Sequence, residues 1–333
     1  MITVTKKRSE YWQLIRGICI LCVIMIHTLY LTNIFYMDVS NIVIRRIINF
    51  AVAVFIFMAG YFAHVENIRN FYLSKIKRLI IPLVIWDLLY TIIKYRSSIL
   101  NSSIITVLKS FVFSTSAAHL YYIYVLIQLF LITPFLIKLS NNDKYKNFPI
   151  LITPIYNIIL FICNYFFSFN IPLYNYWIFG WISYYHLGII LKKEKDFKFK
   201  ENNFLILCLF TSILEGVLIY ASRNELYNLA ISQLTFFNSI YSLMFCYLLF
   251  NGNKNFKIDN VKSEWVQRML IKLGNYSFGI YFSHLLILMI VRKTITRLSL
   301  NYFENIMLIF LLTTLITYFV NYIYYEKLKK LKK

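Results

Sequence analysis

Ten apolar runs of near bilayer-crossing length, separated by short basic segments, dominate this 333-residue sequence. A spanning helix needs about 20 mostly apolar residues. The runs are 11–35, 44–63, 79–96, 119–139, 149–169, 176–192, 203–222, 233–250, 276–293 and 304–325. In lipid a segment has to satisfy its own backbone hydrogen bonds, so runs of this length predict helices. The expected fold is all-α, a polytopic transmembrane helical bundle of about ten spans. The sixth run is the shortest and is rich in Trp and Tyr. Residues 1–333 are expected to form a single integral-membrane domain with no appended soluble domain, since both tails are short and no internal repeat is visible.

Charge follows the same division. The chain carries 35 Lys+Arg against 14 Asp+Glu. Nucleic-acid binders hold such an excess on soluble domains. Here it lies between apolar runs, so no nucleic-acid partner is expected and the lipid bilayer is. With the N-terminus inside, 25 of the 35 basic residues fall in cytoplasmic segments, namely 1–10, 64–78, 138–148, 192–202, 251–275 and 326–333. Nine fall on the outer side: Arg45, Arg46, Lys94, Arg96, Lys109, Arg223, Arg292, Lys293 and Arg297. That bias is the positive-inside pattern. An even number of spans puts both termini in the cytoplasm, where the basic charge also meets anionic lipid. The first run is too long for a signal-peptide core and lacks a small-residue cleavage site, so it is expected to stay in the protein.

The five cysteines, Cys19, Cys22, Cys163, Cys208 and Cys246, all lie in apolar runs. Free cysteine packs as a small hydrophobe. Cys19 and Cys22 form a C-x-x-C without further ligands nearby, and no metal is expected.

Ionisable groups inside spans are costly and face a cavity or a partner. They are Arg16, His27, Asp87, His119, His186, Glu215 and His284, with His64 at the inner end of the second run. Arg16 and His27 bracket the stretch RGICILCVIMIH. Eleven residues are three helical turns plus about 20°, so both side chains share a face, about 16 Å apart along the axis. One stripe thus carries a permanent cation near the inner end and a proton acceptor deep in the membrane. That suits a substrate that enters from the cytoplasm, is held by an anionic group and reacts at depth. The other reading has Arg16 reaching the headgroups and His27 bonding inside the bundle. In FYLSKIKRLIIP, Lys75 and Arg78 sit at i, i+3 on one face at the inner mouth of the third run. The pair suits phosphates, or else simple anchoring. His119, followed by three tyrosines in HLYYIY, caps the outer end of the fourth run. It reads as part of an interfacial aromatic belt, or as a histidine beside His27 that faces an acceptor. Asp87 and Glu215 suit structural hydrogen-bonding roles, and Asp87 also suits pairing with an arginine or orienting a histidine. The role of His186 is open.

Taken in order, these segments resemble the membrane acyltransferase-3 family. YWQLIRGICILCVIMIH is similar to the family's opening Arg-Gly, apolar run and His. AVFIFMAGYF, KIKRLIIPLVIW, HLYYIYVLIQLFLITPFL, ISYYHLGIILKK and LGNYSFGIYFSHLLIL resemble its later motifs. The likeness covers nearly the whole chain. It departs at Gln13, where the family often has Asp, at Ala59, where Ser is usual before Gly, and at Lys75, where Arg is usual.

The resemblance implies a multi-pass plasma-membrane enzyme of a bacterial cell that transfers an acyl group, usually acetyl from cytoplasmic acetyl-CoA, to a hydroxyl of a cell-surface glycan or its lipid-linked precursor. It implies His27 as general base, with Arg16, Lys75 and Arg78 attracting the CoA phosphates or lining the donor path. His119 and His284 would orient the acceptor or relay a proton. The reading from a different class is a transporter or flippase of a surface glycan or small solute. Many transporters carry repeated halves, and none is visible here. Composition sets no oligomeric state, because membrane interfaces and lipid-facing surfaces are equally apolar.

The orientation is checked by cysteine labelling in intact cells. Cysteines placed at Lys144 and Lys198 are expected to react only with reagents that reach the cytoplasm; labelling from outside would invert the topology.

Overall fold

Helix is the only regular structure among the described residues of the computed structural model, which are 2–32, 39–96, 103–193, 202–255, 261–295, 298 and 301–331. The elements are α1 (Ile2–Thr32), α2 (Val39–Ile48), α3 (Phe50–Tyr61), α4 (Ile68–Tyr95), α5 (Ile104–Val112), α6 (Tyr121–Leu131) and α7 (Thr133–Leu139). They continue with α8 (Phe148–Phe167), α9 (Ile182–Lys193), α10 (Asn202–Ser222), α11 (Tyr227–Ala230), α12 (Phe236–Asn255), α13 (Val261–Ile295) and α14 (Tyr302–Leu331).

The all-α expectation holds. The count of ten spans is not reproduced. Six stretches are long and apolar enough to cross a membrane: Ser9–Leu31, Val39–Tyr61, Phe148–Phe167, Asn203–Ser222, Glu264–Ile295 and Tyr302–Lys327. A seventh is possible if α6 and α7, bent by 56° at their junction, form one broken span. The other three expected runs are helical but differ in kind. Helix α4 has 28 residues, yet carries Lys75, Lys77, Arg78, Asp87 and Lys94. Helix α9 has only 12 residues, because the Trp- and Tyr-rich segment before it forms two short 3-10 turns. Helix α12 is interrupted in its apolar character by Asn238, Ser239, Ser242 and Asn251. Positions 194–201, with Lys198, lie outside the described residues, as do Arg297, Lys332 and Lys333.

Large apolar side chains cover much of the surface of the apolar helices. Ile155 is 52% exposed, Ile206 66% and Phe319 55%. Exposed apolar surface on this scale suits acyl chains rather than water.

The chain divides into two compact units. The first comprises Met1–Phe55, Leu209–Gln233 and Met244–Lys333. Its centre is the pairing of α1 with α13, flanked by α14. Without a hydrophobic driving force between helices, tight packing in lipid relies on small residues that let backbones approach. Gly17 and Gly274 supply this. A Cβ at Gly17 would stand 2.1 Å from the Leu270 carbonyl oxygen, and one at Gly274 would stand 1.8 Å from the Gln13 carbonyl oxygen. On the α1 side, Trp12, Cys19, Ile20 and Ile24 are buried. The ring of His27 lies near that of His284, so the contacts advance in the same direction along both helices. Helices α1 and α13 therefore run parallel.

The second unit comprises Ile56–Cys208 and Leu234–Leu243. The contact between α3 and α9 repeats the device. A Cβ at Gly60 would stand 2.0 Å from the Tyr185 carbonyl oxygen, and one at Gly188 would stand 2.3 Å from that of Phe57. Helices α8 and α9 pack together, with Thr153 and Ser183 exchanging hydrogen bonds between backbone amides and hydroxyls. Helix α4 begins at the N-cap Asn67, whose side chain accepts from the Asn70 amide at 3.1 Å.

Gly274→Ala is expected to lower stability by about 1–3 kcal/mol through overpacking against backbone that has no rotamer to yield. Gly252→Ala is the control, since its nearest neighbour is the Tyr11 hydroxyl at the end of a side chain. Melting in detergent separates the two; equal melting temperatures would mean that the α1–α13 contact is loose.

Candidate functional site

Each unit holds its own share of the sequence-predicted groups, and each is built from the local helix geometry. In the first unit α1 continues unbroken from Arg16 to His27, so the two share one helix as their spacing requires. Arg16 is partly buried. With the Gln13 amide turned so that its oxygen faces a donor and its nitrogen an acceptor, Arg16 Nη1 donates to the Gln13 oxygen at 3.3 Å and the Gln13 nitrogen donates to the Gly274 carbonyl at 3.2 Å. The residue that departs from the family pattern thus ties the cation to α13.

Eleven residues further along, His27 is partly exposed and His284 is fully buried. Their ring centroids are 5.2 Å apart with planes inclined by 47°. Gly17 precedes His27 by ten residues and Gly274 precedes His284 by ten. Ten residues rise about 15 Å on each helix. Parallel helices locked at the glycines therefore carry the two histidines to the same height. Nδ1 of His284 lies 2.6 Å from the Tyr281 carbonyl oxygen and 3.1 Å from that of Ile280. Carbonyl oxygens only accept, so this Nδ1 carries the proton and donates.

Helix α2 contributes residues that sequence reasoning had assigned only to the outer flank. Arg45 Nη1 donates to the Ile26 carbonyl at 2.8 Å, immediately before His27. Arg46 is fully buried; its Nε donates to the Ala230 carbonyl at 2.8 Å and its Nη1 to Glu215 Oε2 at 3.0 Å. Glu215 is therefore the partner of a buried guanidinium, which matches the structural reading of that residue. Arg46 and Glu215 are 169 residues apart in the chain, and no local pattern signals the pair.

In the second unit, α4 carries Lys75 and Arg78 one turn apart, as expected. Arg78 is exposed. The Lys75 ammonium sits 5.0 Å from the Phe130 ring centroid and 5.6 Å from that of Phe71. Burial first, and the neighbouring Arg78 cation second, push its pKa below the usual lysine range.

His119 lies in the short 3-10 turn Ala118–Leu120 and is buried, edge-on to Tyr90 with centroids 5.4 Å apart. The segment that leads into it is held by Asp87, one helical turn before Tyr90 on α4. The Asp87 carboxylate accepts from the Ser114 hydroxyl at 2.6 Å and from the Ser116 hydroxyl. Ser114 holds a left-handed φ of 46°, which is uncommon for a residue with a side chain. The Tyr176 hydroxyl donates to its carbonyl at 3.3 Å. Asp87 therefore fixes the backbone before a histidine by way of two serines, rather than pairing with an arginine.

His186 is fully buried on α9, with Nε2 donating to the Lys146 carbonyl at 2.7 Å. It ties α9 to the 140–148 turn. His64 pairs with Glu66 at 2.9 Å in the exposed segment between α3 and α4.

Asp87→Ala is expected to lower stability by about 1–3 kcal/mol, because two hydroxyls lose their acceptor. Asp87→Asn keeps one amide oxygen in place and is expected to lose less. Thermal melting of the pair checks this, and equal loss in both would count against the serine clamp.

The comparisons extend this account. A family model described as an acyltransferase domain matches residues 9–326. No curated protein and no solved structure matches the chain. The match takes in α1 with Arg16 and His27, α4 with its basic pair, and α13 with His284. With its apolar helices and this match over nearly its full length, the chain belongs to the acyltransferase-3 family of membrane acyltransferases.

Proposed function

We propose that the protein is a bacterial plasma-membrane O-acetyltransferase. It takes acetyl from cytoplasmic acetyl-CoA and delivers it to a hydroxyl of a cell-surface glycan or its lipid-linked precursor. Both termini lie in the cytoplasm in this reading. The observation that carries it is His27, partly exposed on a continuous helix about 16 Å beyond the cationic Arg16, in a chain of this family.

In this reading Arg16 of the first unit, and Lys75 and Arg78 of the second, are the cations offered to the CoA phosphates, and an exposed guanidinium such as Arg78 can take a phosphate in a bidentate grip. The pantetheine arm then reaches from the cytoplasmic side toward His27. In direct transfer, a ring nitrogen of His27 takes the proton of the acceptor hydroxyl as its oxygen attacks the thioester carbonyl carbon. The C–S bond breaks, and the departing thiolate takes the proton from the His27 imidazolium to leave as CoA. The ester is formed and the histidine returns neutral. His119 and His284 are the other histidines of this reading, for orienting the acceptor or passing the proton.

The test is binding of acetyl-CoA to the purified protein in nanodiscs by calorimetry, for wild type and Arg78→Ala. Saturable binding that weakens in the variant is expected; no binding by folded wild type would overturn the reading in favour of a transporter or flippase. His27→Ala is expected to keep donor binding and to lose about a hundredfold or more in transfer, the scale of a positioned base. Unchanged turnover would remove His27 from the chemistry.

A further inference from the structure

His27 and His284 differ in one respect that separates their roles. His27 is partly exposed, whereas His284 is fully buried. A fully buried ring does not meet an acceptor from outside the protein. It acts, if at all, through what it touches. What stands beside it is the ring of His27, with centroids 5.2 Å apart. A hydrogen bond of about 2.9 Å between the edges of two imidazoles places their centroids about 5 Å apart. The observed centroid separation matches that distance.

The tautomer of His284 gives the bond a direction. Its Nδ1–H is committed to the Tyr281 and Ile280 carbonyls of its own helix. In the neutral ring Nε2 then carries the lone pair, so it accepts and does not donate. A neighbouring imidazole meets it only through an N–H. Which nitrogen of a histidine carries the proton is set by the hydrogen bond that the other one makes.

We propose that His284 is the positioning residue for His27: its Nε2 accepts one ring N–H of His27 and leaves the opposite His27 nitrogen as the base. This rests on the reading of His27 as general base. The geometry has its own cause in the backbone. The Gly17 and Gly274 contacts fix the register of two parallel helices, and each histidine follows its glycine by ten residues. The arrangement has the logic of a base held by a third group, with a neutral imidazole in the place where a carboxylate more often stands. When His27 takes the acceptor's proton, the second N–H of the imidazolium is already directed at the lone pair of His284. The pair gains no net proton over the cycle, because the one taken from the acceptor hydroxyl goes on to the departing thiolate.

The test uses the full-length protein labelled with nitrogen-15 at its five histidines, in nanodiscs, with no ligand. Nitrogen shifts distinguish the two neutral tautomers, and His27→Ala and His284→Ala assign the two rings. His284 is expected to be neutral with its proton on Nδ1, and His27 is expected to show one tautomer. In His284→Ala the His27 signals should become those of a mixture of tautomers. Turnover, read as release of CoA from acetyl-CoA in membranes of the native cell, should fall by about a hundredfold. His284→Gln carries an amide where Nε2 stands, so it should restore a single His27 tautomer and much of the turnover. His284→Asn carries its amide at the Nδ1 position and should restore neither. An unchanged His27 pattern in His284→Ala, a proton on Nε2 of His284 in the wild type, or equal behaviour of Gln and Asn would overturn the inference. If His27→Ala keeps turnover, the base reading falls on its own; if His27→Ala is inactive while His284→Ala keeps wild-type turnover, only the inference falls.

Discussion

The close backbone approach of α1 and α13, at Gly17 against Leu270 and at Gly274 against Gln13, sets the position of what lies further along both helices. There is no side chain at either residue to act as a spacer, and a single carbon at Gly274 would collide with the Gln13 carbonyl. Contact at this distance leaves little freedom of register. Everything ten residues further along is then placed by helical rise alone. That is how a partly exposed histidine and a buried one come to share a level. Arg16 and Gln13 lie on the other side of the same contact, where the Gln13 amide joins the cation to the Gly274 carbonyl.

The second unit meets the same physical problem in a different way. Its polar groups are held by loops rather than by helix register. Asp87 accepts two serine hydroxyls from the segment before His119, and a left-handed Ser114 makes the turn that presents them. His186 and Lys192 each donate to a backbone carbonyl between helices, Lys146 and Ala63 respectively. Buried polar groups in an apolar chain are tolerated when such partners exist. Here many of the partners are carbonyls at helix ends and turns.

These differences decide what was legible beforehand. Composition and run length suffice for the helical class, because each spanning segment satisfies its own backbone. The shared face of Arg16 and His27 follows from spacing on one helix, as does that of Lys75 and Arg78. The span count does not follow so simply. Helix α4 reads as apolar between its charges, and the aromatic run before α9 is apolar in composition yet turns rather than coils into a long helix. The pairing of Arg46 with Glu215, the serines on Asp87 and the neighbour of His27 all depend on contacts between distant parts of the chain. Only Gly17 and Gly274 gave a local hint, since glycine inside a helix is unfavourable by about 1 kcal/mol unless something needs the space.

The pairing of α1 with α13 also has a meaning in time. His27 and His284 are 257 residues apart, in the first and the last but one of the long helices. At a synthesis rate of about 5–20 residues per second, α1 waits roughly 13–50 s for its partner. During that interval Arg16 and His27 are in the membrane, or at the insertion machinery, without the Gly274 carbonyl and without the neighbouring imidazole. Helix α1 is thus completed only once α13 has been made, and until then the newborn chain holds open a span that carries two ionisable groups.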